Sequence, residues 1–374
     1  MRLQGIARVD RKTKDLTKRL RPGDIAIIDH ADLDEIAAQS LLEARVKAVI
    51  NAHAFSTGRY PNLGPRLLAE YGIVLLDQVG ADIFTKVTEG ELIRIVGNRI
   101  EGENRELIAE GTILTESIIR RQMAQAQSNL IPLAEEFIDN TLEFAQREKG
   151  FVLGGVEFPQ LDTDFEGRHV VVVVRGHNYR ADLHALRSYI NEVKPVLIGV
   201  DGGADALLEI GQRVDMIVGD MDSVSDTALL SGAEILVHAY PDGRAPGLER
   251  VRELGLDAKT VAAPGTSEDI ALLLAYELGA ALIVAVGTHS GMIDFLEKGR
   301  PGMASTFLVR LKIGSVLVDA RGVSELYKIR FGHHYLLQVL IAAALPLALL
   351  LLLSSPVRQV LRLVLLQVRL AWKW

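Results

Sequence analysis

The sequence predicts an α/β protein. Its expected parts are a small amino-terminal α/β domain, a long connecting helix, an α/β sandwich with a mostly parallel sheet, and a carboxyl-terminal transmembrane helix. Three observations carry this reading. Short apolar runs alternate with helical stretches over residues 22–100 and again from about residue 168. Residues 115–149 form one long helical pattern closed by Gly150. Tyr335 to Leu353 reads YLLQVLIAAALPLALLLLL, nineteen residues without a charge. The boundaries expected are 1–110, 111–150, 151–325, 335–353 and 354–374 of the 374 residues, in keeping with domains of roughly 150 residues.

In the first domain, Pro22–Ile28, Val46–Asn51, Gly72–Leu76 and Glu89–Ile95 read as strands, with helices at Leu33–Glu43 and Leu63–Tyr71. This order resembles the swivelling phosphohistidine domains, whose histidine would fall near Ser56–Pro61, where this chain has none; His53 is assigned no phosphoryl role. The loop Ser56–Pro65 nevertheless gathers Ser56, Thr57, Arg59 and Asn62 ahead of a helix. Hydroxyls and a guanidinium there make a second anion site one reading, and a punctuated loop with Asn62 as a cap the other.

Ile119, Met123, Ala126, Leu130, Leu133, Phe137, Asn140 and Phe144 recur at spacings of 4 and 3, a heptad seam. It serves either as a connector packed across both domains or as the face of a homodimer. Pro132 implies a kink nearby.

In the third segment Val170–Val174, Val196–Val200, Met216–Val218, Ile235–Val237 and Ala281–Val286 read as strands, with helices at Asp182–Glu192, Ala204–Ile210 and Glu268–Leu278. Uninterrupted apolar strands with intervening helices describe a parallel sheet covered on both faces. Ligands of such sheets bind outside the strands' carboxyl ends. There the sequence places Gly176, then Asp201-Gly202-Gly203, then Gly219-Asp220-Met221-Asp222-Ser223, and later Gly287-Thr288. Glycines let backbone N–H groups approach phosphate, and close carboxylates favour Mg²⁺. Asp220 and Asp222, flanking one residue, are expected to share a hydrated Mg²⁺, the alternative being ordinary strand-to-helix turns in which Asp and Gly serve as caps. Gly176, Asp201, Gly202, Gly203, Gly219, Ser223, Gly287, Thr288 and Asp294 are the expected nucleotide or phosphate contacts.

The run from Asp201-Gly-Gly-Ala-Asp to Val214-Asp-Met-Ile-Val-Gly-Asp-Met-Asp-Ser-Val resembles the catalytic half of thiamine pyrophosphokinases. That resemblance implies an α/β sandwich whose carboxylates hold Mg²⁺ and ATP, which would make Asp201, Asp220 and Asp222 the metal ligands and set Gly202 and Gly203 near phosphate or substrate. The chain departs from the family pattern at Thr266-Ser267-Glu268-Asp269, where serine replaces an aspartate. It departs again at Gly291-Met-Ile-Asp294-Phe295, which lacks the arginine and histidine. With no β-rich acceptor half after residue 320, thiamine phosphorylation is not expected, because phosphoryl transfer rests on positioning and cations.

Over its whole length, including Ser56–Pro65, Gly219–Ser223, Gly299-Arg-Pro-Gly-Met303 and Gly314–Val323, the chain resembles the SteA-like family, described as cytokinetic-ring proteins of Gram-positive bacteria. The resemblance implies a membrane-tethered division and envelope protein, enriched at the septum, with other membrane or division proteins as partners. Its pyrophosphokinase-like domain would bind a nucleotide or phosphate. The alternative is a membrane-bound, Mg-dependent pyrophosphokinase using ATP on an unknown acceptor, its acidic set completed by Glu268, Asp269 or Asp294.

Composition sets outer bounds. With 49% apolar residues and 5% aromatic, collagen-like, disordered and disulfide-scaffold readings are excluded. The absence of cysteine removes thiolate nucleophiles and zinc–cysteine sites. The net charge of −7 divides into +5 over residues 1–24, +6 over 326–374 and −18 between them. An acidic body argues against nucleic acid as a partner, and basic ends suit an anionic lipid bilayer. No signal peptide opens the chain, so the body is expected in the cytoplasm and the protein in the cell membrane with a single pass. After Ser354-Ser-Pro356, Arg358, Arg362, Arg369 and Lys373 share one helical face, a basic amphipathic tail with Trp372 and Trp374 at headgroup level.

Overall fold

A computed structural model describes residues 2–154, 156–326 and 333–372. The chain divides into two compact units, Met1–Val323 and Ser324–Trp374. The first unit holds both α/β regions and the helices connecting them.

The amino-terminal region is an eight-stranded mixed sheet of β1 (Arg2–Val9), β2 (Ile25–Ile28), β3 (Ala48–Asn51), β4 (Val74–Asp77), β5 (Leu92–Val96), β6 (Arg99–Glu101), β7 (Leu107–Glu110) and β8 (Thr112–Ile113), in the order β7-β6-β5-β1-β2-β3-β4-β8. β1 through β4 run parallel to one another, and the flanking strands pair antiparallel. Sequence reading misses β1 because Arg2, Gln4 and Arg8 alternate with small or half-buried residues; the strand looks like a basic arm until the sheet closes around it.

The second region is a seven-stranded, wholly parallel sheet of β9 (His169–Val173), β10 (Val196–Val200), β11 (Met216–Gly219), β12 (Glu234–Ala239), β13 (Lys259–Ala262), β14 (Leu282–Val286) and β15 (Leu317–Asp319), in the order β13-β12-β11-β10-β9-β14-β15. Alternate residues of each strand feed two cores, as period-2 geometry requires. Val170, Val172, Ile198 and Met216 face one core with the helix Ser267–Glu277, whose residues 268–275 are all buried. Val171, Val173, Leu197 and Ile217 face the other with Leu183, Leu207 and Val251. The predicted two-sided burial is observed. The expected helix Asp182–Glu192 is instead two, Tyr179–Ala185 and Arg187–Val193.

The long helix is likewise two, Glu116–Ser128 and Leu130–Val152, parted at Asn129. Pro132 thereby sits in the first turn of the second helix, where its missing N–H costs nothing. The seam residues Ile119, Ala126, Leu133 and Phe137 are buried within the unit. Ile119 joins the amino-terminal core, while Leu133 and Phe137 pack with Tyr60, Phe295 and Leu296. The seam thus packs against residues of both α/β regions.

The carboxyl-terminal unit contains the helices His333–Leu353 and Ser355–Ala371. Among the described residues no helix is long and apolar enough to cross a membrane, which overturns the expected transmembrane segment Tyr335–Leu353 and the single-pass membrane localisation. The helix opens with His333, His334, Tyr335 and Gln338, and Pro346 lies inside it. Its unbroken apolar stretch, residues 339–353, rises only about 22 Å, against a hydrocarbon core of about 30 Å. In the second helix Val360, Leu363, Leu366 and Leu370 are exposed. Lys373 and Trp374 lie outside the described residues.

Candidate functional site

Within the first unit, both sheets open carboxyl ends of their parallel strands onto one cleft of about 1220 Å³. Arg11 follows β1 and His30 follows β2. From the other sheet, Arg175 and His177 follow β9, Asp201 and Gly202 follow β10, Ser223 follows β11, and His289 follows β14. Strand order reverses between β9 and β14, the switch point where α/β sheets hold ligands.

Asp201 is the most perturbed of the predicted residues. Its backbone is left-handed, with φ 46°, a conformation that costs a non-glycine residue on the order of 1 kcal/mol or more. Its Oδ1 accepts the Met221 N–H at 3.0 Å, and Met221 is itself left-handed at φ 66°. Burial, and then the charge of Asp220 beside it, push the Asp201 carboxyl up to about 7. Gly219 makes room for this arrangement: a Cβ there would stand 2.0 Å from Asp201 Oδ1. Gly203 meets the same constraint, since its Cβ would lie 1.9 Å from the Val173 carbonyl oxygen. These glycines answer to protein packing, where the sequence suggested an approach to phosphate. Gly176 and Gly287 sit against each other's backbone in the same manner.

The structure brings Asp201 and Asp220 together and sets Asp222 apart. Asp222 is exposed; its N–H donates to Asp220 Oδ1 at 3.0 Å, and its carbonyl accepts Lys14 Nζ at 2.8 Å. Among the described residues no group of three or more His, Asp or Glu is arranged to hold a metal ion. Asp201, which lines the cleft, and the exposed Asp220 beside it fit the habit of Mg²⁺, which keeps most of its waters and takes one or two carboxylates together with substrate phosphates.

The other acidic candidates have internal partners, although among the described residues the buried Asp269 Oδ1 has none. Asp294 accepts Arg321 through both oxygens and the N–H groups of Ser290 and Gly291. Burial pushes its carboxyl up, but the Arg321 guanidinium and these donors hold it below the usual range. Glu268 accepts the His289 N–H at 3.2 Å and pairs with His289 Nδ1 at 3.0 Å, both residues being buried. Asp269 closes a capping box with Thr266 and accepts Ser305 Oγ at 2.7 Å. Thr288 is buried, with its hydroxyl accepting Arg310 Nη2 at 3.1 Å.

In the loop read as a second anion site, an internal carboxylate sits where an anion would. Thr57 donates its N–H and its hydroxyl to Asp32 at 2.6 and 2.7 Å. The Asn62 amide ties down the Leu33 and Phe55 carbonyls. Ser56 and Arg59 lie on the same loop, where the Arg59 N–H donates to Thr57 Oγ1 at 3.4 Å.

Sequence reasoning missed the cleft's cations. Arg175 reaches toward Asp205 and Glu209 at 3.7 and 3.6 Å, and its buried Nε has no hydrogen-bond partner among the described residues. Its place directly after an apolar strand was the signal that could have found it. Arg321 stands in the same relation to β15, two residues past its end, and the same signal applied to it. Lys12, Lys14 and Lys18 belong to the basic amino-terminal segment, whose charge gave no hint that it lines this cleft.

No curated protein matches the chain. Among solved structures, thiamine pyrophosphokinase from Bacillus subtilis is weakly similar, at 19% identity over 40% of this chain and 60% of that protein, with a TM-score of 0.25. A second is 3-isopropylmalate dehydratase from Methanocaldococcus jannaschii, at 13% identity over 36% of this chain and 98% of that one, with a TM-score of 0.24. Residues 321–372 match the family model described as the SteA-like C-terminal domain.

Proposed function

We propose that this is a bacterial cell-division protein whose pyrophosphokinase-like domain binds a Mg²⁺-nucleoside polyphosphate and uses it as a conformational ligand rather than a phosphoryl donor. The Asp201–Asp220 carboxylate pair carries the binding reading. Strained backbone and burial hold Asp201 against the exposed Asp220 at a cleft lined by cations and anions alike, and a divalent ion bridging to phosphate relieves their repulsion and the desolvation of Asp201. The division role rests on the SteA-like match at the carboxyl end together with the motif resemblance along the chain.

Binding is favoured over transfer because Glu268, Asp269 and Asp294, the carboxylates needed to complete a transferase set, are each engaged by internal partners. A ligand of this kind acts through its differential affinity for two conformations. Calorimetry of the full-length protein with Mg-ATP and Mg-GTP tests the reading. The Asp201→Asn/Asp220→Asn double variant is expected to lose at least about tenfold in affinity, or roughly 1.4 kcal/mol. Unchanged affinity would remove the site. No AMP should form.

A further inference from the structure

We propose that the amino-terminal α/β domain is half of this nucleotide site: Lys12, Lys14 and Lys18 grip the terminal phosphate of a nucleoside triphosphate whose Mg²⁺-bound phosphates lie at Asp201 and Asp220. The inference deepens the nucleotide reading and rests on it.

The short helix Thr13–Thr17 buries Thr13 and Leu16 against its own domain. Arg11 and Lys12 just ahead of this helix, Lys14 within it and Lys18 at its end are exposed, Lys18 pairing with Asp15 at 2.9 Å and Arg11 with Asp29 at 3.5 Å. All four line the cleft that Asp201, Gly202 and Ser223 line from the other domain. Lys14 already spans the gap, donating to the carbonyl of Asp222, two residues from Asp220. It spends its ammonium on a backbone oxygen rather than on a carboxylate, a weaker partner than phosphate. Its charge is also felt at Asp201, where it opposes the upward push of burial. Lys14 is thus near enough to both carboxylates to share a ligand with them.

The charge balance selects the length of the phosphate chain. A magnesium ion on Asp201 and Asp220 is matched by those carboxylates and by the phosphates it touches. A further phosphate adds negative charge that the lysines across the cleft are placed to meet. The triphosphate therefore ties the two domains together, and a diphosphate does so less.

Titration of the full-length protein with Mg-ADP and Mg-ATP tests this. The wild type is expected to favour the triphosphate about tenfold. A Lys12→Ala/Lys14→Ala/Lys18→Ala variant is expected to bind both nucleotides with nearly equal affinity, and Lys14→Gln to lose about half of the preference on a logarithmic scale. The same preference in wild type and triple variant would overturn the inference while leaving the nucleotide site standing, provided Asp201→Asn/Asp220→Asn still weakens binding at least about tenfold. No nucleotide binding by the wild type would overturn both. Inorganic tripolyphosphate, run beside ATP, separates a free phosphate chain from a nucleotide, and the same lysines must hold either. Backbone hydrogen exchange gives a second readout. Mg-ATP should slow exchange at residues 11–18, and no change there would count against the clamp.

Discussion

At the scale of single residues, Asp201 concentrates the conflict between stability and function. A carboxyl raised to about 7 in the fold and near 4 in the unfolded chain binds more protons folded than unfolded across that window. Stability therefore falls as pH rises from about 4 to 7. Asp201→Asn removes the charge and keeps a side chain that tolerates left-handed backbone. The variant is expected to melt higher than wild type at pH 8, by on the order of 1 kcal/mol, and to show little difference at pH 4.5. Equal melting shifts at both pH values would mean that the Asp201 charge is not held against burial. The same substitution should weaken Mg-nucleotide binding, so the acid is retained at a cost in stability.

At the scale of elements, the helix Ser267–Glu277 is the brace of the parallel sheet. Its first turn carries Thr266 as N-cap, with Asp269 closing the capping box, and its middle is sealed in the core against Ile198, Met216 and Ile283. Leu272 is wholly buried. Leu272→Ala is expected to cost about 3 kcal/mol, read as an earlier midpoint in urea denaturation. A loss under 1 kcal/mol would show that the core collapses around the cavity. This helix was legible in the sequence, since an apolar run with a polar cap reports its own burial. The role of Glu268 was not, because its partner His289 comes from a loop 21 residues away and no local period connects them.

At the scale of the molecule, polar contacts join the two α/β domains across the cleft. His177 Nδ1 meets Glu35 Oε2 at 2.7 Å, Arg180 pairs with Glu43, and Lys14 reaches the Asp222 carbonyl. Glu297 stands among Asp34, Asp294 and Glu35, and burial followed by those charges pushes its carboxyl up to about 7. The hydrogen bond that His177 donates to the Glu35 carboxylate raises the histidine above its ordinary value. The two effects share a sign. Glu297 gains an unfavourable charge as pH rises through about 7, and the His177–Glu35 pair loses its favourable one as pH rises through the raised histidine pKa. The interface should therefore loosen with rising pH. Glu297→Gln is expected to raise the melting temperature by a few degrees at pH 8, on the order of 1 kcal/mol, and to leave it unchanged at pH 5. A variant that melts like wild type at pH 8 would place Glu297 outside the coupling.

By itself the sequence determined the alternation of strands and helices, the two-sided burial of the parallel sheet, and the strand-end positions of Asp201, Asp220 and Ser223. Each is a local property, because side-chain period and turn chemistry report whether a stretch is covered and where it ends. Only the tertiary structure decided which of those carboxylates meet, that Asp32 sits at the Thr57 loop, and that Arg321 neutralises Asp294. It also decided that the terminal apolar helix is too short and too interrupted to cross a membrane. Above all, it turned the basic amino-terminal segment, whose charge suggested a membrane surface or plain solvation, toward the acids of a domain some 200 residues away. Charge pattern states how much charge a segment carries; the opposing surface is set by how two sheets pack, and no period in the chain records it.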